Sequence, residues 1–293
     1  VGPLPQDQQP FFRQLHDAAQ LNQPSIQLFS EAIRAVADSY EDRFLMGEVD
    51  GDNDDAVKVS AGFTTPGRLH ATYNFDLLEW AGLSVDEMKE AISAAIEVFN
   101  GSGRLSFAFS NHDVPRSATR QLAMLGLSPD KGDAMQLLLL KLETCLIGSA
   151  CVYQGEELGF ADVQDIPLAL MQDPWGIEFA PTFPGRDTCR TPMVWRQSSP
   201  NGGFSKSNST WLPISDQHLV RAALDQAERS GSICREFSDF LRWRKTQPAI
   251  MDANEMSAVS GGPGQIVFDR ISDQQTLRCH FDFDTLTASF EEV

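Results

Sequence analysis

The sequence predicts an α/β fold: the C-terminal half of a (β/α)8 TIM barrel followed by the start of a small antiparallel β domain. Three observations carry this expectation. Short apolar runs alternate with amphipathic helical stretches in four cycles, the signature of parallel strands joined by crossover helices. Four cycles make half of a closed barrel, although 293 residues would hold a whole one at ~250. After Pro248 the pattern changes to period-two alternation across a Gly261-Gly262-Pro263-Gly264 turn, which belongs to antiparallel strands.

Each element can be justified in order. Residues 1–23 are rich in Pro and Gln and read as loop. From Pro24 to Asp38, Ile26, Phe29, Ile33 and Val36 recur at helical spacing, with Ser25 as the candidate cap. Phe44-Leu45-Met46 reads as a short buried strand halted by Gly47. Leu69 to Phe75 is the next strand, and the helix from Val85 to Phe99 opens on a Ser84-x-x-Glu87 capping box. Leu105 to Phe109 and Ala150 to Tyr153 are the remaining strands, with a helix from Asp133 to Ile147 between them. A Gly/Pro/Asp-rich excursion from 155 to about 217 precedes helical stretches at 218–229 and 233–245. Gln265 to Arg270 and Thr276 to Phe281 alternate as two antiparallel strands. The expected division is 1–250 for the half-barrel (strands five to eight, with the long loop 155–217) and 251–293 for the beginning of the β domain.

Composition narrows the function classes. With 23 Lys and Arg against 41 Asp and Glu, the net charge is −18, the wrong sign for gripping a phosphate backbone. No nucleic-acid partner is expected. No apolar run reaches the roughly 18 residues of a spanning helix, since Lys141, Glu143 and Thr144 interrupt Met135 to Ile147. No membrane partner is expected either. The five cysteines are scattered and form no Cys-x-x-Cys pair, which sets the expectation of a reducing, cytoplasmic compartment. The N-terminal Val1-Gly2-Pro3-Leu4-Pro5 carries no initiating Met, basic region or apolar leader, and the expectation is a trimmed or truncated chain.

In parallel α/β folds the reactive groups stand just beyond the carboxyl ends of the strands. Those ends carry Gly47-Glu48, Asn74-Phe75-Asp76, Asn111-His112-Asp113 and Gln154-Gly155-Glu156-Glu157. Glu48 and Asp113 are about two βα units apart, at ~30 residues per unit, so they face one pocket from strands two places apart. Two converging carboxyls, one protonated and one ionised, are the apparatus of glycoside hydrolysis. A single loop carboxylate is more often merely solvated. The ordered set is what argues for chemistry.

Met46-Gly47-Glu48-Val49 and Phe109-Ser110-Asn111-His112-Asp113-Val114-Pro115-Arg116 resemble two signature regions of the α-amylase family, the family 13 glycoside hydrolases. Tyr153-Gln154-Gly155-Glu156-Glu157-Leu158-Gly159 is similar to its segment after strand eight. Gln172-Asp173-Pro174-Trp175-Gly176 and Gly185-Arg186-Asp187-Thr188-Cys189-Arg190-Thr191-Pro192-Met193-Val194-Trp195 resemble the long loop of its α-glucosidase and oligo-1,6-glucosidase branch. The resemblance runs in order from about residue 12 to 250. It implies an exo-acting, retaining α-glucosidase that releases glucose from the non-reducing ends of short α-glucoside oligosaccharides or disaccharides, with no cofactor and no metal. Glu48 then corresponds to the general acid/base and Asp113 to the carboxylate that binds sugar hydroxyls and favours the distorted ring. His112 and Asn111, with Arg186 and Asp187 on the loop, correspond to substrate-binding positions. Arg190, four residues beyond Arg186, competes for the same place. Phe75, Tyr153 and Trp175 offer ring faces to a pyranose, although such rings more often serve as core packing.

One departure stands against the match. The family's nucleophile is an Asp in an Arg-x-Asp segment at the end of strand four, and no such segment precedes Glu48. The resemblance therefore implies a fragment that is inactive alone, with open barrel edges through which copies could associate. The competing reading is a non-catalytic barrel scaffold or binding protein from the same family, against which the retained Glu48 and Asp113 argue. Asp50-Gly51-Asp52-Asn53-Asp54-Asp55 starts like a calcium loop, but Asp55 and Ala61 stand where Gly and Glu are required. An acidic loop beside the pocket is expected there instead. His70 and His218 have no partner at metal-ligand spacing and read as structural or exposed.

Overall fold

The computed structural model describes residues 24–49, 56–99, 105–252 and 255–293. The loop expected over 1–23 and the acidic segment 50–55 lie outside these described residues. Four parallel strands, β1 (Met46–Glu48), β2 (Ala71–Tyr73), β3 (Leu105–Phe107) and β4 (Ser149–Ala150), pair in sequence order. Around them run α1 (Pro24–Ala37), α2 (Ala56–Phe63), α3 (Val85–Phe99), α4 (Ser117–Met124) and α5 (Gly132–Cys145). The long excursion contains α6 (Pro174–Phe179) and short 3-10 turns. It is followed by α7 (Asp216–Leu219), α8 (Ala223–Glu228), α9 (Ile233–Arg244) and α10 (Pro248–Met251). A second sheet, β5 (Glu255–Met256), β6 (Gln265–Ile271), β7 (Thr276–Asp282) and β8 (Thr287–Glu292), is antiparallel throughout.

Several boundaries move for physical reasons. Strand β1 begins two residues later than the apolar run suggests, because Phe44 stacks on His70 while the Leu45 N–H donates to His70 Nδ1 at 2.9 Å. Gly47 lies within the strand instead of halting it, paired with Thr72 of β2. Helix α1 starts on Pro24, so Ser25 occupies its first turn and not its cap. The capping box of α3 forms as expected: Glu87 N–H donates to Ser84 Oγ at 3.2 Å, and Ser84 N–H to Glu87 Oε2 at 2.7 Å. The stretch 218–229 resolves into two short helices, α7 and α8, and not a single one. Helix α4 escapes the sequence pattern because its inward residues Ser117, Arg120 and Gln121 are polar. They are buried against hydrogen-bond partners, so no apolar stripe marks the helix.

One apolar core spans both sheets. Met88, Ile92 and Ala95 of α3 pack with Leu105 and Phe107 of β3, and with Met135, Leu138, Leu139 and Leu142 of α5. Phe237 and Phe240 of α9 continue this cluster into Ile266, Phe268, Leu277, Cys279 and Phe281 of the antiparallel sheet. Arg270, buried on β6, donates to the carbonyl of Cys145 at 3.0 Å and fastens the β domain beneath α5. Phe29, Ile33, Val36, Tyr40, Phe44 and Leu45 line an open apolar groove between α1 and the segment leading into β1, the outermost parallel strand among the described residues. No helix among the described residues is long and apolar enough to cross a membrane.

Candidate active site

The C-terminal ends of the parallel strands meet the long excursion. Glu48 ends β1 with its side chain exposed, in register with Tyr73 of β2. The Tyr73 hydroxyl donates to the Ser110 carbonyl, 3.3 Å away, just beyond β3. Burial, then the neighbouring Cys151, Glu143, Glu156 and Glu48, raise its phenol well above the ordinary range, so it stays a neutral donor. Tyr73 thus connects the strand ends that carry Glu48 and Asp113.

Asp113 is the centre of the charged cluster. Its Oδ1 accepts from Arg186 Nη1 at 2.9 Å and from Arg190 Nη2 at 2.7 Å. His112 Nε2 stands 3.4 Å from Asp113 Oδ2, with its ring exposed. Arg190 also donates from Nε to the His112 carbonyl at 2.6 Å. Both arginines therefore reach the carboxylate, so the competition between them resolves into a shared contact.

Arg186 is held from behind by Asp173, a residue the sequence reading did not single out. Asp173 Oδ1 accepts from Arg186 Nη2 at 2.8 Å, while Oδ2 accepts from Arg186 Nε at 3.1 Å and from its backbone N–H at 2.7 Å. Asp173 also caps α6, accepting from Trp175 N–H at 3.4 Å, and Asp followed by Pro is the local signal that marks such a cap. The guanidinium hydrogen bonds hold the Asp173 carboxyl down to about 2, and reciprocally keep Arg186 charged. Arg186 lies over the exposed Trp175 ring, 4.7 Å from its centroid. This fork is fixed on three sides: a buried carboxylate, an indole face and Asp113.

The remaining expected residues have inward parts. Asn111 is buried, and its Oδ1 accepts from the N–H groups of Asp113 at 2.8 Å and Val114 at 3.1 Å, shaping the turn that projects Asp113. Asp187 is fully buried, and its Oδ2 accepts from the N–H groups of Gln172 at 2.6 Å and Asp173 at 2.9 Å. It closes the loop on which Arg186 rides. Tyr153 places its ring 5.2 Å from the Arg116 guanidinium and donates to the Cys189 carbonyl at 3.1 Å, so both its ring and its hydroxyl have packing partners. His218 is buried and His70 accepts from backbone, consistent with structural parts for both. No group of three His, Cys, Asp or Glu among the described residues is arranged to hold a metal ion.

Comparison with known proteins agrees with the geometry. Residues 4–253 match the catalytic domain of alpha amylase. A probable alpha-glucosidase of Rhizobium meliloti is 36% identical over 275 residues, covering 92% of this chain and 47% of that protein. An oligo-1,6-glucosidase of Parageobacillus thermoglucosidasius is 24% identical over 266 residues, covering 79% of this chain and 45% of the relative. Among solved structures, the alpha-glucosyl transfer enzyme XgtA superposes with a TM-score of 0.79 at 33% identity, over 89% of this chain and 46% of that one. The chain spans about half the length of these relatives. With the parallel sheet, the carboxylates at its strand ends and the family match in one place, the chain belongs to the α-amylase family of glycoside hydrolases, in its α-glucosidase branch.

Proposed function

We propose that this chain supplies the acid/base side of a retaining, exo-acting α-glucosidase centre that releases glucose from the non-reducing ends of short α-glucosides. The observation that carries the reading is Asp113, presented at a strand end between two arginines while Glu48 ends a strand of the same sheet. In this reading Glu48 gives its proton to the departing glycosidic oxygen as the bond to the anomeric carbon breaks. It then takes a proton from the water that releases the glucose. Asp113 accepts hydrogen bonds from sugar hydroxyls, and His112, Arg186 and Arg190 surround the same position. The exposed Trp175 face beside Arg186 offers an apolar surface to a pyranose ring. Asn111 and Asp187 contribute by shaping the two loops.

The nucleophilic carboxylate belongs, in this proposal, to the four strands that complete the barrel. The half-length match to the relatives and the four-stranded parallel sheet support that division. The test is p-nitrophenyl α-glucoside hydrolysis by the protein carrying all eight strands, with and without Glu48→Gln. Loss of at least about a hundredfold in turnover is expected, in the range general acid–base catalysis contributes. Turnover at the unsubstituted rate would overturn the assignment, and this chain alone is expected to hydrolyse nothing.

A further inference from the structure

The proposed chemistry uses Asp113 but leaves open what holds its loop in place. The loop rises from β3 at Ser110 and returns at Ser117, the first residue of α4. Both feet stand on one side chain, Glu156, which is fully buried in the turn after β4. Glu156 Oε1 accepts from Ser110 Oγ and Ser117 Oγ, each at 2.6 Å, and from Gln136 Nε2 of α5 at 3.4 Å. Its Oε2 accepts from Tyr153 N–H at 2.9 Å. Ser110 Oγ in turn accepts from Ser117 N–H at 2.7 Å, which closes the base of the loop.

We infer that Glu156 is a positioning residue for Asp113, acting through Ser110 and Ser117. The inference rests on the α-glucosidase reading for the purpose of the loop, but the geometry of the grip stands apart from it. Every group aimed at Glu156 in this set is a donor, so the site fits a carboxylate, which only accepts. An amide in its place would either set an NH2 against the Tyr153 N–H, leaving buried donors facing each other, or turn it toward the serine hydroxyls, which would have to accept instead of donate and so lose their present bonds to this side chain. Arg190 fixes the crest of the loop through the His112 carbonyl and Asp113, and Asn111 fixes its turn. Glu156 fixes its base. Without that anchor the loop would tilt about Ser110, and an ångström of tilt is enough to misalign a catalytic carboxylate.

The test uses the protein carrying all eight strands with Ser110→Ala and, separately, Glu156→Gln. Hydrogen–deuterium exchange of residues 111–116 is followed alongside calorimetric binding of 1-deoxynojirimycin, an iminosugar analogue of glucose. Positioning predicts faster exchange across 111–116 in both variants, by about tenfold or more, with iminosugar affinity down roughly tenfold to a hundredfold. Unchanged exchange and affinity, with only a lowered melting point, would overturn the inference and leave Glu156 a fold-stabilising residue. If the unsubstituted eight-strand protein fails to bind the iminosugar while the variants still exchange faster, the positioning inference stands and the α-glucosidase reading is what weakens. Should Glu156→Gln fail to fold, Ser110→Ala decides alone, because it removes a single hydroxyl and keeps the buried carboxylate.

Discussion

Replacing His218 offers a measurable test of how the long excursion is held. His218 is buried, stacked on Phe160 with centroids 3.9 Å apart; its Nε2 lies 2.8 Å from the Ala161 carbonyl and its Nδ1 3.3 Å from Thr191 Oγ1. Burial lowers the imidazole from 6.5 to about 4, opposed by the Ala161 hydrogen bond and reinforced by the nearby Arg116 and Arg221 charges. The ring is therefore neutral when folded and takes up a proton more readily when unfolded. The sign follows directly: its contribution is complete above pH 6.5 and is lost as pH falls toward 4. The full difference corresponds to about 3 kcal/mol, of which about 2 kcal/mol is gone by roughly pH 5. For a domain of this size that is a fall in melting temperature of about 4 to 8 °C. His218→Gln supplies a donor and an acceptor but cannot titrate. Urea and thermal denaturation of both proteins from pH 7 to 5 should show the unsubstituted chain losing its margin over the variant. Parallel stability curves across that range would refute the burial argument.

Other expectations concern the arginine fork and the open sheet. Asp173→Asn should weaken iminosugar binding by about tenfold, because Arg186 loses its charged anchor and Asp113 loses an oriented donor; calorimetry checks this. Gly185→Ala should act in the same direction, since Gly185 adopts φ +70° and a Cβ would stand 2.6 Å from the Gly176 Cα. Holding Ala in that left-handed conformation costs about 1–2 kcal/mol, readable as a lowered melting point. The apolar groove along α1, and β1 as the outermost parallel strand among the described residues, predict self-association of the chain. Light scattering should report a mass that rises with concentration, and a constant monomer mass would count against it.

Strand β3 was legible because its whole length is buried within an apolar run, and α3 because it keeps an apolar stripe, whereas the strand expected as buried at Phe44-Leu45-Met46 leaves Phe44 and Met46 exposed. The antiparallel sheet was legible for a related reason, as β6 and β7 bury alternate side chains along their length. Only its outer strands were missed. Strand β5 contains two residues, and β8 is mostly exposed, so neither carries a strong alternating signal. Helix α4 was hidden by the polar character of its buried face.

At the site, the sequence alone determined which carboxylates stand at strand ends, because strand order and motif order coincide along the chain. It also determined the charged residues of the loop, Arg186 and Arg190, as candidates. What only the tertiary structure decided is which of these groups meet. Arg186 and Arg190 converge on one oxygen of Asp113, Asp173 backs Arg186, and Glu156 grips both feet of the Asp113 loop. The partners in each of these contacts are separated by 13 to 77 residues. Local propensity fixes no geometry over such distances. Burial of the shared core brings the loops together, and the demand that every buried donor find an acceptor then selects the pairs.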